Sequence, residues 1–223
     1  MMHQRKSKKI LIYIFLLFMF GSINNISINE LNFPKIKNIN IYGLENRESD
    51  NLLKNIESLS LDNIFFLRSN EIKNLIEKNS LVENYKISKK YPETLDIKIK
   101  KTRFLAKINY DGKIFIIGSN GKLIKNDHIR ELPFIFGKPD IKEFLKIKKN
   151  IDQSNFTYDQ IKNLFFFPSK RWDIELKNNI IIKLPNENIT DSIESVYQFI
   201  KVNNSQNITV IDARIKNQII INE

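Results

Sequence analysis

The chain opens on four basic residues, Arg5, Lys6, Lys8 and Lys9, followed at once by the unbroken apolar run Ile10-Leu-Ile-Tyr-Ile-Phe-Leu-Leu-Phe-Met-Phe20. No other feature constrains the molecule more, because charge followed by such a run is a membrane-targeting signal. Apolar character fades through Ile23, Ile26 and Ile28. A bilayer span takes roughly 20 helical residues, so the run spans only if Lys8 and Lys9 snorkel and the polar residues after Phe20 lie in the far interface. Its rival, a cleaved signal peptide, has a shorter apolar region of about 7–15 residues. Cleavage also needs two small residues spaced two apart, and Phe20 to Ser27 offers no such pair. An uncleaved anchor over residues 10–28 is therefore expected. With the basic tail 1–9 on one side and no further basic residue until Lys35, the positive-inside rule leaves the N-terminus in the cytoplasm and the rest outside it.

The exported part has globular composition. Hydrophobic residues make up 42% of the 223-residue chain and aromatics 11%, which suits one or two modest cores. A net charge of +11 invites a nucleic-acid reading, yet beyond the tail Lys alternates with Glu and Asp, as in Glu71, Lys73, Glu77 and Lys78. That is a solvated face, not the basic stripe that binds phosphate, so no nucleic-acid partner is expected. The absence of Cys excludes disulfides, thiolate catalysis and Cys-type metal sites. Only His3 and His128 are present, so imidazole catalysis or metal binding would rest on His128 alone.

From Lys35 to Arg103 the pattern reads strand, helix, helix, strand, strand. Ile39 and Ile41 alternate in a strand ending at Gly43. Ser49 is a candidate cap for a helix whose Leu52, Leu53, Ile56 and Leu59 share a face, and Ser69 for one carrying Ile72, Leu75 and Ile76. Tyr85 and Ile87 alternate next, Tyr91-Pro92 breaks the run, and Leu95, Ile97 and Ile99 line one face of the following strand. The βααββ order, with Pro92, Thr94 and Leu95 forming a Pro-x-Thr-Leu turn, resembles a POTRA domain.

The remainder reads as mainly β. Asp111-Gly112 joins two apolar runs as a hairpin, and a second turn follows at Asn120-Gly121. Leu132-Pro133 and Gly137 mark a loop, and Thr157 to Phe167 has helical spacing through Ile161, Leu164 and Phe165. Trp172, Ile174 and Leu176 line the inner face of a strand that turns at Asn178-Asn179 into Ile180 to Leu184. Trp172 is expected in the core, with Arg171 on a nearby carboxylate and Asp212 beside Arg214. Thr190 is a candidate cap for a helix carrying Ile193, Val196, Tyr197 and Ile200, and the chain closes in a hairpin of 208–215 with 218–222.

Taken together, the basic tail, anchor, POTRA-like segment and β-rich remainder resemble the FtsQ/DivIB family of bacterial cell-division proteins. Ala106, Leu132-Pro133 with Gly137, Arg171-Trp172-Asp173 and Ile211-Asp-Ala-Arg214 carry that likeness. Phe104, Ile108 and Ile215 depart from it, standing where the family often has Pro, Trp and an aromatic residue. The resemblance implies an α+β architecture: a single transmembrane helix, a POTRA domain over 35–103, and a mainly antiparallel β domain with flanking helices over 104–223. It implies a division scaffold in the cell inner membrane with its C-terminal domains in the periplasm, binding proteins that resemble FtsB and FtsL and linking them to septal peptidoglycan synthesis.

Neither an enzyme nor a cofactor, metal or small-molecule substrate is expected. No nucleophile and base are paired, and no Gly-rich phosphate loop exists. A Ser/Lys dyad stays open because both residues abound, but in Ser88-Lys89 and Ser169-Lys170 the side chains of neighbours diverge. Two other classes compete with the scaffold. An outer-membrane protein assembly factor needs a large C-terminal barrel, and an anchored cell-wall enzyme needs a catalytic cleft. The expected partner site is the final strand. Arg214 and Ile215 flank it, the strand runs from Gln218 to Asn222 with no Pro, charge or bulge to protect it, and Ile219, Ile220 and Ile221 form its docking edge.

Overall fold

The computed structural model describes residues 4–23, 35–59, 61, 64–65, 67, 69–125, 131–203 and 208–222. Helix α1 (Gln4–Ile23) begins upstream of the expected anchor and takes in the basic residues. Its wholly apolar stretch, Ile10–Phe20, rises about 16 Å at roughly 1.5 Å per residue, against a hydrocarbon thickness of about 30 Å. Among the described residues no helix is long and apolar enough to cross a membrane. The span expected over 10–28 is corrected to that extent, and its last part, from residue 24, lies outside the described residues, as does His128.

A three-stranded sheet follows, in the order β1-β3-β2. Strand β1 (Asn38–Tyr42) runs parallel to β3 (Thr94–Lys101), and β2 (Val82–Lys90) runs antiparallel to it. Helices α2 (Asn46–Glu57) and α3 (Asn70–Lys78) cover one face. Their Leu52, Ile56, Ile72 and Ile76 meet Val82, Leu95, Ile97 and Ile99 of the sheet. The period-2 alternation of β3 puts Lys98 and Lys100 on the open face. Gly43 has φ 95°, and a Cβ there would lie 1.9 Å from the carbonyl oxygen of Ile99, so only glycine fits. One expected cap is displaced and the other stands without a side-chain bond. Helix α2 starts after Glu45, whose N–H donates to Glu48, and Ser49 lies inside it. Ser69 does sit at the N-cap of α3 but makes no side-chain cap.

Nine strands form the second sheet, in the order β12-β11-β10-β9-β8-β7-β4-β5-β6. They are β4 (Phe104–Tyr110), β5 (Lys113–Gly118), β6 (Leu123–Ile124), β7 (Phe134–Phe136), β8 (Ile161–Phe166), β9 (Trp172–Leu176), β10 (Ile181–Lys183), β11 (Val210–Asp212) and β12 (Ile220–Asn222). The hairpin at Asp111-Gly112 joins β4 to β5 as expected. Most neighbours are antiparallel, but β4 and β7, β7 and β8, and β10 and β11 pair in parallel. Helices α4 (Ile141–Asp152) and α5 (Ile189–Val202) pack on one face. Trp172, Ile174, Leu176, Ile182 and Ile211 project into the core beneath them. Tyr158 pins the loop before β8 by donating its hydroxyl to the Leu105 carbonyl at 3.0 Å, and burial pushes its phenol well above the usual value.

Three expectations change here. The helix over Thr157–Phe167 is a 3₁₀ turn, Tyr158–Gln160, and then strand β8. A register shift between Ile161 and Asn163 turns both Ile161 and Leu164 toward the core, so a bulged strand imitates helical spacing. Helix α4 was not anticipated, although Phe144, Ile147 and Ile151 mark its buried face. Thr190 lies inside α5, whose N-cap is Asn188 in the left-handed conformation.

Candidate functional site

Among the described residues, strand β12 ends the nine-stranded sheet, with β11 on one side and no strand on the other. Asp212 pairs with Ile220, Ile211 with Ile221 and Val210 with Asn222. All three β12 residues are exposed, Ile220 at 52% and Ile221 at 41%. The strand therefore offers unpaired backbone donors and acceptors beside apolar side chains.

The residues expected at this edge fall in three places. Ile220 and Ile221 stand on the open strand. Ile219 precedes the strand, half-buried against the core, so the strand itself is shorter than the expected 218–222. Arg214, Ile215 and Gln218 belong to the turn that leads into β12, which closes with the Gln218 N–H on the Ile215 carbonyl at 3.1 Å. Asn217 adopts φ 59° in that turn, a left-handed conformation that Asn tolerates.

Arg214 is held to Asp212. Its Nε donates to Oδ1 at 2.8 Å and its Nη2 to Oδ2 at 2.5 Å, while its backbone N–H also reaches Oδ1 at 3.1 Å. These bonds, the Arg214 side chain's first, hold the Asp212 carboxyl below the usual aspartate value. The pair belongs to a row across the sheet, on the face away from Trp172. Asp173 lies opposite Lys183, Lys183 opposite Asp212, and Asp212 opposite Ile220. Asp173 is buried and also takes Arg171 Nε at 3.1 Å, yet desolvation outweighs that cation and raises its carboxyl. Farther along the same face Phe136 stacks on Phe165, with centroids 5.0 Å apart. The pairing of Arg171 with a carboxylate and of Asp212 with Arg214 was expected from the sequence, whereas the link between them through Lys183 and the aromatic pair were missed. Their signal was the alternation of Asn163 with Phe165 and of Asp173 with Glu175 against inward apolar residues, and the first was hidden by the helical reading of β8.

Residues 34–101 match the POTRA domain, FtsQ-type, and residues 105–214 match the C-terminal domain of cell division protein FtsQ/DivIB. The chain belongs to the FtsQ/DivIB family of cell-division proteins. Cell division protein FtsQ of Rickettsia felis is 27% identical over 193 residues, spanning 82% of this chain and 70% of that protein. DivIB of Clostridium acetobutylicum is 34% identical over 96 residues, spanning 43% of this chain and 39% of that one. The major extracytoplasmic domain of DivIB from Geobacillus stearothermophilus aligns over 48% of this chain and 98% of its own, at 14% identity and a TM-score of 0.35. FtsQ/DivIB is a non-catalytic family of division proteins, and its C-terminal match ends at Arg214, ahead of β12.

Proposed function

We propose that this FtsQ/DivIB protein is a membrane-anchored division scaffold that captures other single-pass division proteins, resembling FtsB and FtsL, by β-augmentation on β12, and links them to septal peptidoglycan synthesis. The observation that carries this reading is the open edge itself: apolar, exposed and unguarded by charge, Pro or bulge. An edge of that kind aggregates unless another chain covers it. An added strand gains main-chain hydrogen bonds for affinity and uses alternate side chains for selectivity. Arg214 and Ile215, in the turn beside the edge, flank the incoming strand.

The anchor is α1. Its apolar side chains from Ile10 to Phe20 are exposed on every side of the helix, which suits lipid rather than one packed face. Lys8 and Lys9 reach back to the cytoplasmic interface of the inner membrane, so that a POTRA domain over 35–103 and a β domain over 104–223 stand in the periplasm. Depleting the protein and imaging the cells tests this role. Filaments with unconstricted division sites are expected. Normal constriction with defective outer-membrane protein insertion would overturn it in favour of an assembly factor.

A further inference from the structure

The chain passes between the two sheets once, through Thr102 and Arg103 between β3 and β4. A single extended crossing of that kind is by itself a hinge. A second attachment exists at the turn between β5 and β6, where side chains reach back to the βααββ unit and to the crossing.

Asn120 is the centre of that attachment. Its Nδ2 donates to the carbonyls of both Ser80 and Val82, each at 2.9 Å. Its backbone N–H donates to Thr102 Oγ1 at 3.2 Å, and its Oδ1 accepts the Lys122 N–H at 3.0 Å. The amide thus uses both donors across the joint and its acceptor to hold its own turn. Ser119 works beside it. Its hydroxyl donates to Glu83 Oε2 at 2.9 Å and accepts the Arg103 N–H at 3.0 Å, while its own N–H donates to the Arg103 carbonyl at 2.8 Å. Lys122 then reaches the end of α3, where Nζ donates to the carbonyls of Glu77 and, at 3.1 Å, Asn79. A cation on the last carbonyls of a helix satisfies orphan acceptors and complements the helix dipole.

Packing at the turn leaves little slack. Thr102 is buried, and its N–H donates to the Leu81 carbonyl at 2.8 Å. A Cβ on Gly118 would lie 2.6 Å from Asn120 Oδ1 and 2.7 Å from Thr102 Oγ1.

We infer that the Gly118–Lys122 turn is a latch that locks the βααββ unit and the nine-stranded sheet into one rigid body, with Asn120 as its hub. Two attachments, one covalent and one of directional hydrogen bonds, fix an angle that the crossing alone would leave free. The inference is independent of what β12 binds.

The chain contains no Cys, so paired spin labels can be placed at Lys54→Cys on α2 and Lys142→Cys on α4, both exposed. The full chain in lipid nanodiscs is then measured by electron–electron double resonance. The parent is expected to give one narrow distance distribution. Asn120→Asp keeps the shape but sets a carboxylate against two carbonyls, and it is expected to at least double the width while circular dichroism stays unchanged. A parent already as broad as the variant, or a folded variant as narrow as the parent, would overturn the latch. Should Asn120→Asp not fold, Lys122→Met removes only the bonds to the end of α3 and is read by the same two outcomes.

Discussion

Trp172 offers the sharpest test of how the nine-stranded sheet is held together. Its side chain is 2% exposed, and its ring lies 4.8 Å from that of Phe166. It belongs to the core cluster under α4 and α5 and not to the smaller cluster between α2, α3 and the three-stranded sheet. Truncating a buried aromatic to Ala costs about 3–5 kcal/mol in lost transfer free energy and residual cavity. Domain stabilities run to about 5–15 kcal/mol, so Trp172→Ala removes a large share and lowers the melting temperature by about 10–20 °C for a unit of this size. Trp172 is the only tryptophan, so the parent's fluorescence follows this core selectively and the variant is followed by circular dichroism. Hydrogen exchange should quicken in β8, β9 and β10 before it does in α2 and α3. A variant that melts within about 2 °C of the parent and fails only in partner capture would refute the reasoning and move Trp172 to an interface.

Gly137→Ala should destabilise the same core by more than about 1 kcal/mol, because φ is 97° there and a Cβ would lie 2.3 Å from the Phe166 carbonyl oxygen. Gly43→Ala should do the same to the smaller core through its contact with Ile99, and thermal melts with hydrogen exchange tell the two apart. Asp212 has a folded pKa held below the unfolded value, about 3.9, by Arg214. Its stabilising contribution is therefore complete above the unfolded value and is lost as pH falls through the folded one. Arg214→Ala should raise the Asp212 pKa, seen by carboxyl-carbon nuclear magnetic resonance, and shrink the acid-induced loss of stability. An unmoved Asp212 titration would contradict the pairing.

What could be read in advance depended on whether the signal was local. Strand β3 was legible because its inward Leu95, Ile97 and Ile99 alternate with outward charge, and the β4–β5 hairpin because Asp111-Gly112 names its own turn. Strand β8 was not, since its bulge sets Ile161 and Leu164 three residues apart on one face. Helix α4 was hidden by its Lys-rich exterior and by the short loop from Gly137. The parallel pairing of β7 between β4 and β8 has no local signal, because such register is set by contacts distant in sequence. The apolar, unprotected character of Ile219, Ile220 and Ile221 was legible in the sequence, whereas the inward turn of Ile219 depends on the half-buried hairpin geometry that only the folded sheet provides.

The central claim is that β12 is the capture edge. Successive residues of a strand aim their N–H groups in opposite directions, so of Ile220 and Ile221 one donates toward β11 and the other toward solvent. Ile220→Pro and Ile221→Pro, each confirmed as folded by circular dichroism, should be compared for binding to an immobilised periplasmic fragment of the FtsB-like partner. Proline at the outward position removes a main-chain donor to the incoming strand and disturbs the edge it docks on, so at least one variant should lose more than about tenfold in affinity, about 1.4 kcal/mol. Capture at the parent's strength by both folded variants would contradict the account and place the partner elsewhere on the molecule.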